Sequence, residues 1–279
     1  STIVHGTTTG TNIIATRVGP KMGLLCTKGH RDVLQFRRVA KDNMYDWRVD
    51  FPEVLVPRYL RLPVRGRLAA DGSELAPVVL EDVDAAAKIF EREDVESVAV
   101  CLFNAYLDGR HERQVAERLA RAWPGKWISL SSEIMPTMGE YERGSTAVVN
   151  AYIAPKVTSY LQSLDQQLRQ FGLQHPVLML QSNGGAVPVD NVAARPVMLV
   201  LSGPAAGVGA LVAFEHGRRL ELAVAREARI RREQEALAIG RREDMRELRR
   251  APFYRPLGGE TAGEITGEQI DVEGRIEAL

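Results

Sequence analysis

Apolar runs that do not alternate with polar residues constrain this chain more than any other feature. "MGLLCT" (22–27), "VAVCLF" (98–103), "PVLML" (176–180) and "PVMLVL" (196–201) have no polar face. Strands of that kind must be covered on both sides, the position of inner strands in a parallel sheet flanked by helices. The segments between them supply the helices. "LEDVDAAAKIFERED" (80–94) is amphipathic, and "DGRHERQVAERLARAW" (108–123) places Val115, Leu119 and Ala122 on one stripe. A long helix is predicted over 143–171, broken or kinked at Pro155 and capped by Gly172. "KWISLSSE" (126–133) reads as one more strand. This alternation is the grammar of an α/β fold built from βαβ units.

Residues 1–40 read as strand, helix, strand. The segment 42–75 is rich in Pro, Arg and aromatic residues without clear periodicity, so an extended, irregular insert or irregular β-structure is expected there. After His216 the character changes. Residues 217–250 form an arginine and glutamate ladder that predicts an exposed helix, and "GGETAGEITGEQIDVEGRIEAL" (258–279) closes the chain with glycine-punctuated short segments. The expected division is therefore 1–215 and 216–279.

A chain of 279 residues holds one large or two modest domains, and its formal charge balances to zero. No global field then attracts nucleic acid or an anionic membrane, and acidic residues interleave with the arginines of 218–250 without an aromatic stacking platform. No apolar run has the length of a membrane span. The start, "STIVHGTTTG", lacks the pattern of a signal peptide. Cys26 and Cys101 both sit in strand-like apolar runs and read as buried thiols suited to the cytoplasm. The histidines at 5, 30, 111, 175 and 216 have no ligand spacing, so no metal site is expected. No G-x-S-x-G elbow is present.

Three short motifs can carry chemistry, and each has a plain alternative. "HGTTTGTN" runs from His5 through Gly6, Thr7 and Thr8 to Asn12. Its hydroxyls and backbone N–H groups at a strand-to-helix turn suit an anion at a helix N-terminus, or simply cap that helix. "SNGG" (Asn183, Gly184, Gly185) and "SGPAAG" (Ser202, Gly203) each follow an apolar run. They suit the ligand edge of a sheet, or ordinary turn-making and close packing. In "GEYERGSTAVVNAY" the residues Glu140, Arg143 and Asn150 fall at a helix start, with Arg143 and Asn150 two turns apart on one face. That face lines a substrate cleft, or forms an exposed first turn. "KGHRD" (28–32) can bring charge to a cleft or lie in a solvated turn.

Taken in order, "VHGTTTGTN", "CTKGHRDVL", "VPRYLRLPVRGR", "VAVCLFNAY", "LSSEIMPTMGEYERGSTAVVNAYIAP", "MLQSNGG" and "LSGPAAGVGA" closely resemble the hydantoinase A and 5-oxoprolinase family over about residues 1–215. "RRVAKDNMYDWR" is similar to the branch of ketone carboxylases. The resemblance implies an actin-like, ribonuclease H-like ATPase architecture, with ATP and Mg²⁺ as cofactors. It also implies a small carbonyl or cyclic-amide substrate, activated by phosphorylation of its oxygen and then carboxylated or hydrolysed. Family members work with a hydantoinase B-type subunit in hetero-oligomers. The resemblance places His5, Gly6, Thr7, Thr8, Asn12, Asn183, Gly184, Gly185, Ser202 and Gly203 near the cofactor, and Glu140, Arg143 and Asn150 near the substrate.

Two expected pieces are absent from this sequence. Family members carry an acidic phosphate hairpin, D-x-G-G-T, upstream of the "HGTT" region, and a second, D-M-G-G-T, shortly after "SGPAAG". Here the arginine ladder follows instead, and "GGET" (258–261) lacks the preceding acid. The architecture is therefore expected to be incomplete and the chain alone inactive, as part of a catalytic complex or a structural subunit of one. A break in chain continuity is expected between about residues 214 and 222.

Overall fold

The computed structural model describes residues 3–39 and 45–215. The arginine ladder, the glycine-punctuated tail and nearly all of the 214–222 window lie outside the described residues, as do residues 41–44 of the "KDNMYDW" stretch. A short strand β1 (Val4–His5) leads into α1 (Thr9–Thr16), which stops where Arg17 turns to a positive φ of 56°. Strand β2 (Met22–Thr27) is buried at every position and is followed by the single turn α2 (Val33–Phe36). Next come β3 (Arg61–Val64) and a small hairpin of β4 (Arg67–Leu68) and β5 (Glu74–Ala76). Regular alternation then sets in: α3 (Leu80–Arg92), β6 (Ser97–Cys101), α4 (Arg110–Ala122), β7 (Trp127–Leu130) and α5 (Ser131–Ile134). The long helix α6 (Glu140–Gln170) precedes β8 (Leu178–Leu180), β9 (Ala186–Pro188) and α7 (Val189–Val192). A 3₁₀ turn, Pro196–Leu199, leads to α8 (Ser202–Glu215).

The main sheet has the order β3-β2-β6-β7 and is parallel throughout, with Leu25 opposite Val100 and Cys26 opposite Cys101. Side chains alternate faces along a strand. A Cβ added to Gly23 would strike the Phe90 ring of α3 at 2.3 Å, whereas Cys101 Sγ lies 3.2 Å from a Cβ placed on Gly144 of α6. Gly23 and Cys26 point to opposite faces, and Cys101 shares the face of its partner Cys26. Helix α3 therefore covers one face and α6 the other, which is why the inner strands carry no polar side. Each fully buried Leu, Val or Phe in this sandwich contributes about 1.5–3 kcal/mol of transfer free energy. A second, mixed sheet has the order β1-β8-β9, with β1 parallel to β8 and His5 opposite Met179.

Four expectations need correction. The "irregular insert" 42–75 contains a strand of the main sheet, because β3 occupies its edge, where Pro63 is tolerated without a ladder N–H. The apolar run "PVMLVL" is a 3₁₀ turn rather than a second buried strand: Pro196 starts the turn, the Val197 N–H donates to Asn150 Oδ1 at 3.1 Å, and the Met198 carbonyl accepts from Ser182 N at 2.9 Å. Helix α6 continues through Pro155 without a break, since Ile153, Ala154 and Val157 are buried around it. On α4, Val115 and Leu119 are buried but Ala122 is exposed, and Trp123 takes the inward place, its ring 5.8 Å from Phe90.

Candidate functional site

The first and last described motifs meet. At the carboxyl end of β1 the chain turns through Gly6 and Thr7, and the Thr7 N–H donates to Ser202 Oγ at 3.2 Å. The Ser202 hydroxyl donates in return to the Thr7 carbonyl at 3.0 Å, so two buried residues 195 positions apart close a reciprocal pair. Glycine is required on both sides of this contact. A Cβ on Gly6 would lie 2.8 Å from Ala206 Cβ, and one on Gly203 would lie 2.8 Å from Thr8 Cγ2. Leu201 adopts φ +64° to bring α8 in, its N–H donating to Thr11 Oγ1 at 3.0 Å. A leucine in this region costs about 1–3 kcal/mol, which the junction must overcome.

The N-termini of α1 and α8 consequently abut one another. Helix N-termini carry partial positive charge and N–H groups without intrahelical acceptors. Thr7 Oγ1 accepts from Thr9 N at 3.2 Å and sits 2.9 Å from Thr9 Oγ1, which steadies the first turn of α1. Thr8 is exposed at the cap position, with Asn12 Nδ2 at the hydrogen-bond limit of 3.5 Å from its hydroxyl. The donors here are hydroxyls and amides with no carboxylate among them. Such a set fits a phosphate oxygen and offers Mg²⁺ none of the carboxylates that usually anchor it. Among the described residues no group of three or more His, Cys, Asp or Glu side chains is placed to hold a metal ion.

The remaining sequence candidates are placed differently. His5 is buried with its Nε2 2.7 Å from the Tyr160 hydroxyl, so it ties β1 to α6 and does not face an opening. "SNGG" leaves β8 on the same side of the sheet as the Gly6–Thr7 turn leaves β1, because the two strands are adjacent and parallel. It is a hairpin turn into β9, however: Gln181 N donates to the Gly185 carbonyl at 2.8 Å, and Asn183 Oδ1 accepts from Gly185 N at 2.9 Å. Gly184 has the positive φ, 83°, that this turn needs. Asn183, Gly184 and Gly185 are exposed and occupied with their own turn.

Arg143 and Asn150 do not line a cleft. Both are fully buried. Arg143 donates to Ser131 Oγ at 3.0 Å, to the Thr137 carbonyl at 3.1 Å, and through Nη2 to the Leu102 carbonyl at 2.8 Å and Glu140 Oε1 at 3.2 Å. Asn150 joins Ser129 Oγ to the 3₁₀ turn at Val197. Glu140 is half-buried, its carboxylate held by Arg143 and by the Asn104 N–H at 3.4 Å. The sequence reading missed Glu112, which is fully buried on the first turn of α4 and accepts from Leu102 N, Ser131 Oγ and Ser132 N at 2.6–2.8 Å. Burial pushes its carboxyl above the usual carboxylate range, against the pull of those donors. An acid interrupting the apolar side of "RHERQVAERL" was the available signal, since Glu112 precedes Val115 by three residues and shares its face. Burial also pushes the Cys26 and Cys101 thiols up to about 12, which leaves them inert as nucleophiles.

Known proteins resemble this chain in sequence and fold. Residues 1–123 match the hydantoinase/oxoprolinase N-terminal region and residues 143–224 match the hydantoinase/oxoprolinase region. Over 204 residues the chain is 35% identical to the caprolactamase subunit alpha of Pseudomonas jessenii, covering 72% of this chain and 29% of that protein. It is 28% identical over 226 residues to the acetophenone carboxylase gamma subunit of Aromatoleum aromaticum, covering 74% and 30%. The crystal structure of the ATP-dependent caprolactamase from Pseudomonas jessenii superposes with a TM-score of 0.69 at 34% identity, over 77% of this chain and 32% of that one. The chain thus spans less than a third of the length of these relatives. With the Thr7–Ser202 junction joining its two matched regions, the chain belongs to the hydantoinase/oxoprolinase family.

Proposed function

We propose that this chain forms one wall of the nucleotide site in an enzyme that activates a carbonyl oxygen by phosphorylation. The observation that carries this reading is the reciprocal Thr7–Ser202 pair, which points two helix N-termini at one place lined by neutral donors. ATP, when bound, would supply the phosphoryl group that turns an amide oxygen into a leaving group or holds a ketone as its enol phosphate, whose P–O bond then breaks to release the enolate. Thr8 and the N–H groups of the first turns of α1 and α8, apart from that of Thr9 which Thr7 holds, would bind a phosphate oxygen, while Gly6 and Gly203 let the two backbones close. No residue of this set holds Mg²⁺, so the metal's ligands come from elsewhere in the enzyme. The isolated chain accordingly does not turn over ATP.

Residues 1–215 supply the actin-like wall. Both relatives are named as subunits, and we assign this chain to a cytoplasmic hetero-oligomer with a hydantoinase B-type partner. Among the described residues no helix is long and apolar enough to cross a membrane. The greater identity to the caprolactamase subunit favours a cyclic amide as substrate. Ketone carboxylation is the second reading, carried by the "KDNMYDW" stretch.

The test is oxygen-18 transfer in the assembled enzyme. Lactam labelled at the carbonyl, or ketone supplied with labelled bicarbonate, is turned over with ATP, and the label is sought in the released phosphate. Label passed from the lactam carbonyl selects the hydrolase, since C–O cleavage expels the phosphate; label passed from bicarbonate, with the ketone oxygen kept in the carboxylated product, selects the carboxylase. ATP cleavage without label transfer from either source overturns oxygen activation. Micromolar binding and turnover of Mg²⁺–ATP by the isolated chain would overturn the one-wall assignment.

A further inference from the structure

A second polar constellation lies outside the carboxyl ends of the main sheet, where open parallel sheets collect ligands. Three separate turns build it. His30 comes from the turn after β2, Phe103 from the turn after β6, and Arg67 from the hairpin strand that follows β3. The Phe103 ring stacks on the His30 imidazole at 4.7 Å, and the Arg67 guanidinium lies 3.8 Å over the same phenyl ring. Arg67 Nη1 donates to His30 Nε2 at 3.1 Å, which fixes the remaining imidazole hydrogen on Nδ1.

The frame around them is rigid. Thr27 Oγ1 accepts from Phe103 N at 2.9 Å, and the buried Asn104 carboxamide donates to the Leu68 carbonyl at 2.9 Å, which clamps β4 onto the turn carrying Phe103. Beneath His30 and Phe103 is a cavity of about 20 Å³ walled by Leu24, Leu34 and Cys101. It has room for one water or one methyl group. Glu140, which also lines this cavity, is engaged by Arg143 and Asn104.

Arg67 is half-buried, and among the described residues no carboxylate pairs with it. A guanidinium locked on an aromatic face, with one edge bound to histidine, leaves its other donors in a fixed plane. That plane matches two coplanar oxygens. We propose that Arg67, with His30 and Phe103, binds a small carboxylate at the carboxyl edge of the main sheet. The carboxylate takes the free donors of Arg67, and a short apolar body enters the cavity under Phe103. The site shares no residue with the Thr7–Ser202 junction and stands or falls separately from the nucleotide reading.

The experiment is titration of the full 279-residue chain with acetate, and separately with inorganic phosphate, read by calorimetry and by the His30 ring resonances. Acetate is expected to bind saturably and to move those resonances. Arg67→Gln should weaken acetate about tenfold or more, since a charge-assisted hydrogen-bonded pair is lost. Arg67→Lys, which keeps the charge and loses the fork, should fall between. Arg65→Gln is the control, because Arg65 is exposed and paired with Asp82, and it should change nothing. No saturable acetate binding, acetate binding unaltered by both Arg67 variants, or phosphate bound in preference to acetate would each overturn the proposal. If Arg67→Gln does not fold, the Lys variant and the His30 resonances still decide.

Discussion

The Thr7–Ser202 junction and the Glu112–Arg143 cluster both gather polar residues at helix starts, and they are built in opposite ways. The junction uses glycines, hydroxyls and backbone amides, with Thr8 left exposed. The cluster uses a carboxyl and a guanidinium, both buried, whose hydrogen bonds run to Leu102, Ser131, Ser132, Thr137 and Glu140. A buried charge must be satisfied from within, so the cluster is a brace. Neutral donors at a partly open helix end keep their capacity for an anion from outside. Polarity at a helix start does not distinguish the two; the chemistry of the partners does.

The largest expected effect breaks the brace. Glu112→Ala leaves the Leu102 and Ser132 N–H groups without their acceptor and frees the Ser131 hydroxyl that links Glu112 to Arg143. It should cost about 3–5 kcal/mol in urea unfolding. A loss within about 0.5 kcal/mol, the range of ordinary surface changes, would show that the cluster holds nothing together.

The same residue gives a pH test. Burial raises the Glu112 pKa in the folded chain, so its contribution to stability is fully present below its unfolded value of about 4.3. That contribution is lost as pH rises through the raised folded value. The stability of the native chain relative to Glu112→Gln should therefore fall over this climb. A difference that stays flat would contradict the raised value.

The junction is expected to be less costly to damage and more costly to function. Gly203→Ala forces a Cβ against Thr8 Cγ2 and should destabilise by about 1–3 kcal/mol. Thr8→Val, at an exposed position, should change thermal stability by no more than about 0.5 kcal/mol. It should nevertheless weaken nucleotide binding by the assembled enzyme about tenfold or more, because a hydrogen bond to a charged oxygen is removed. Unchanged nucleotide affinity in Thr8→Val would reduce the junction to a pair of helix caps. Asn183→Ala should have the smallest effect on both, since Asn183 serves its own hairpin.

The layers of the fold were legible where burial was complete. Strands β2 and β6 announced themselves because both faces are covered, and α3 and α6 because their apolar faces do the covering. The β3 strand was not legible, since Pro63 and the arginines around it are permitted only at an edge, and edges are defined by tertiary partners. "PVMLVL" misled for a related reason: Pro196 and Leu199 are buried, but its backbone is satisfied by Asn150 and Ser182 and Leu201 is exposed. Of the candidate site, the small residues Gly6, Thr7, Ser202 and Gly203 were readable from turn chemistry. The roles of Arg143 and Asn150 were not, because a sequence shows that a helix face is polar and cannot show which buried groups it faces.

The reciprocal pair between Thr7 and Ser202 also bears on the order of events in folding. Its partners are 195 residues apart, and a contact of that span gains nothing until the intervening chain has lost most of its freedom. The β-α alternation of the main sheet pairs strands much closer in sequence and can assemble first. The junction proposed to bind phosphate then comes into being only when the first and last described segments meet. On that proposal a chain stalled at any earlier stage would hold no phosphate, and occupancy of the site would report completed assembly as well as readiness for chemistry.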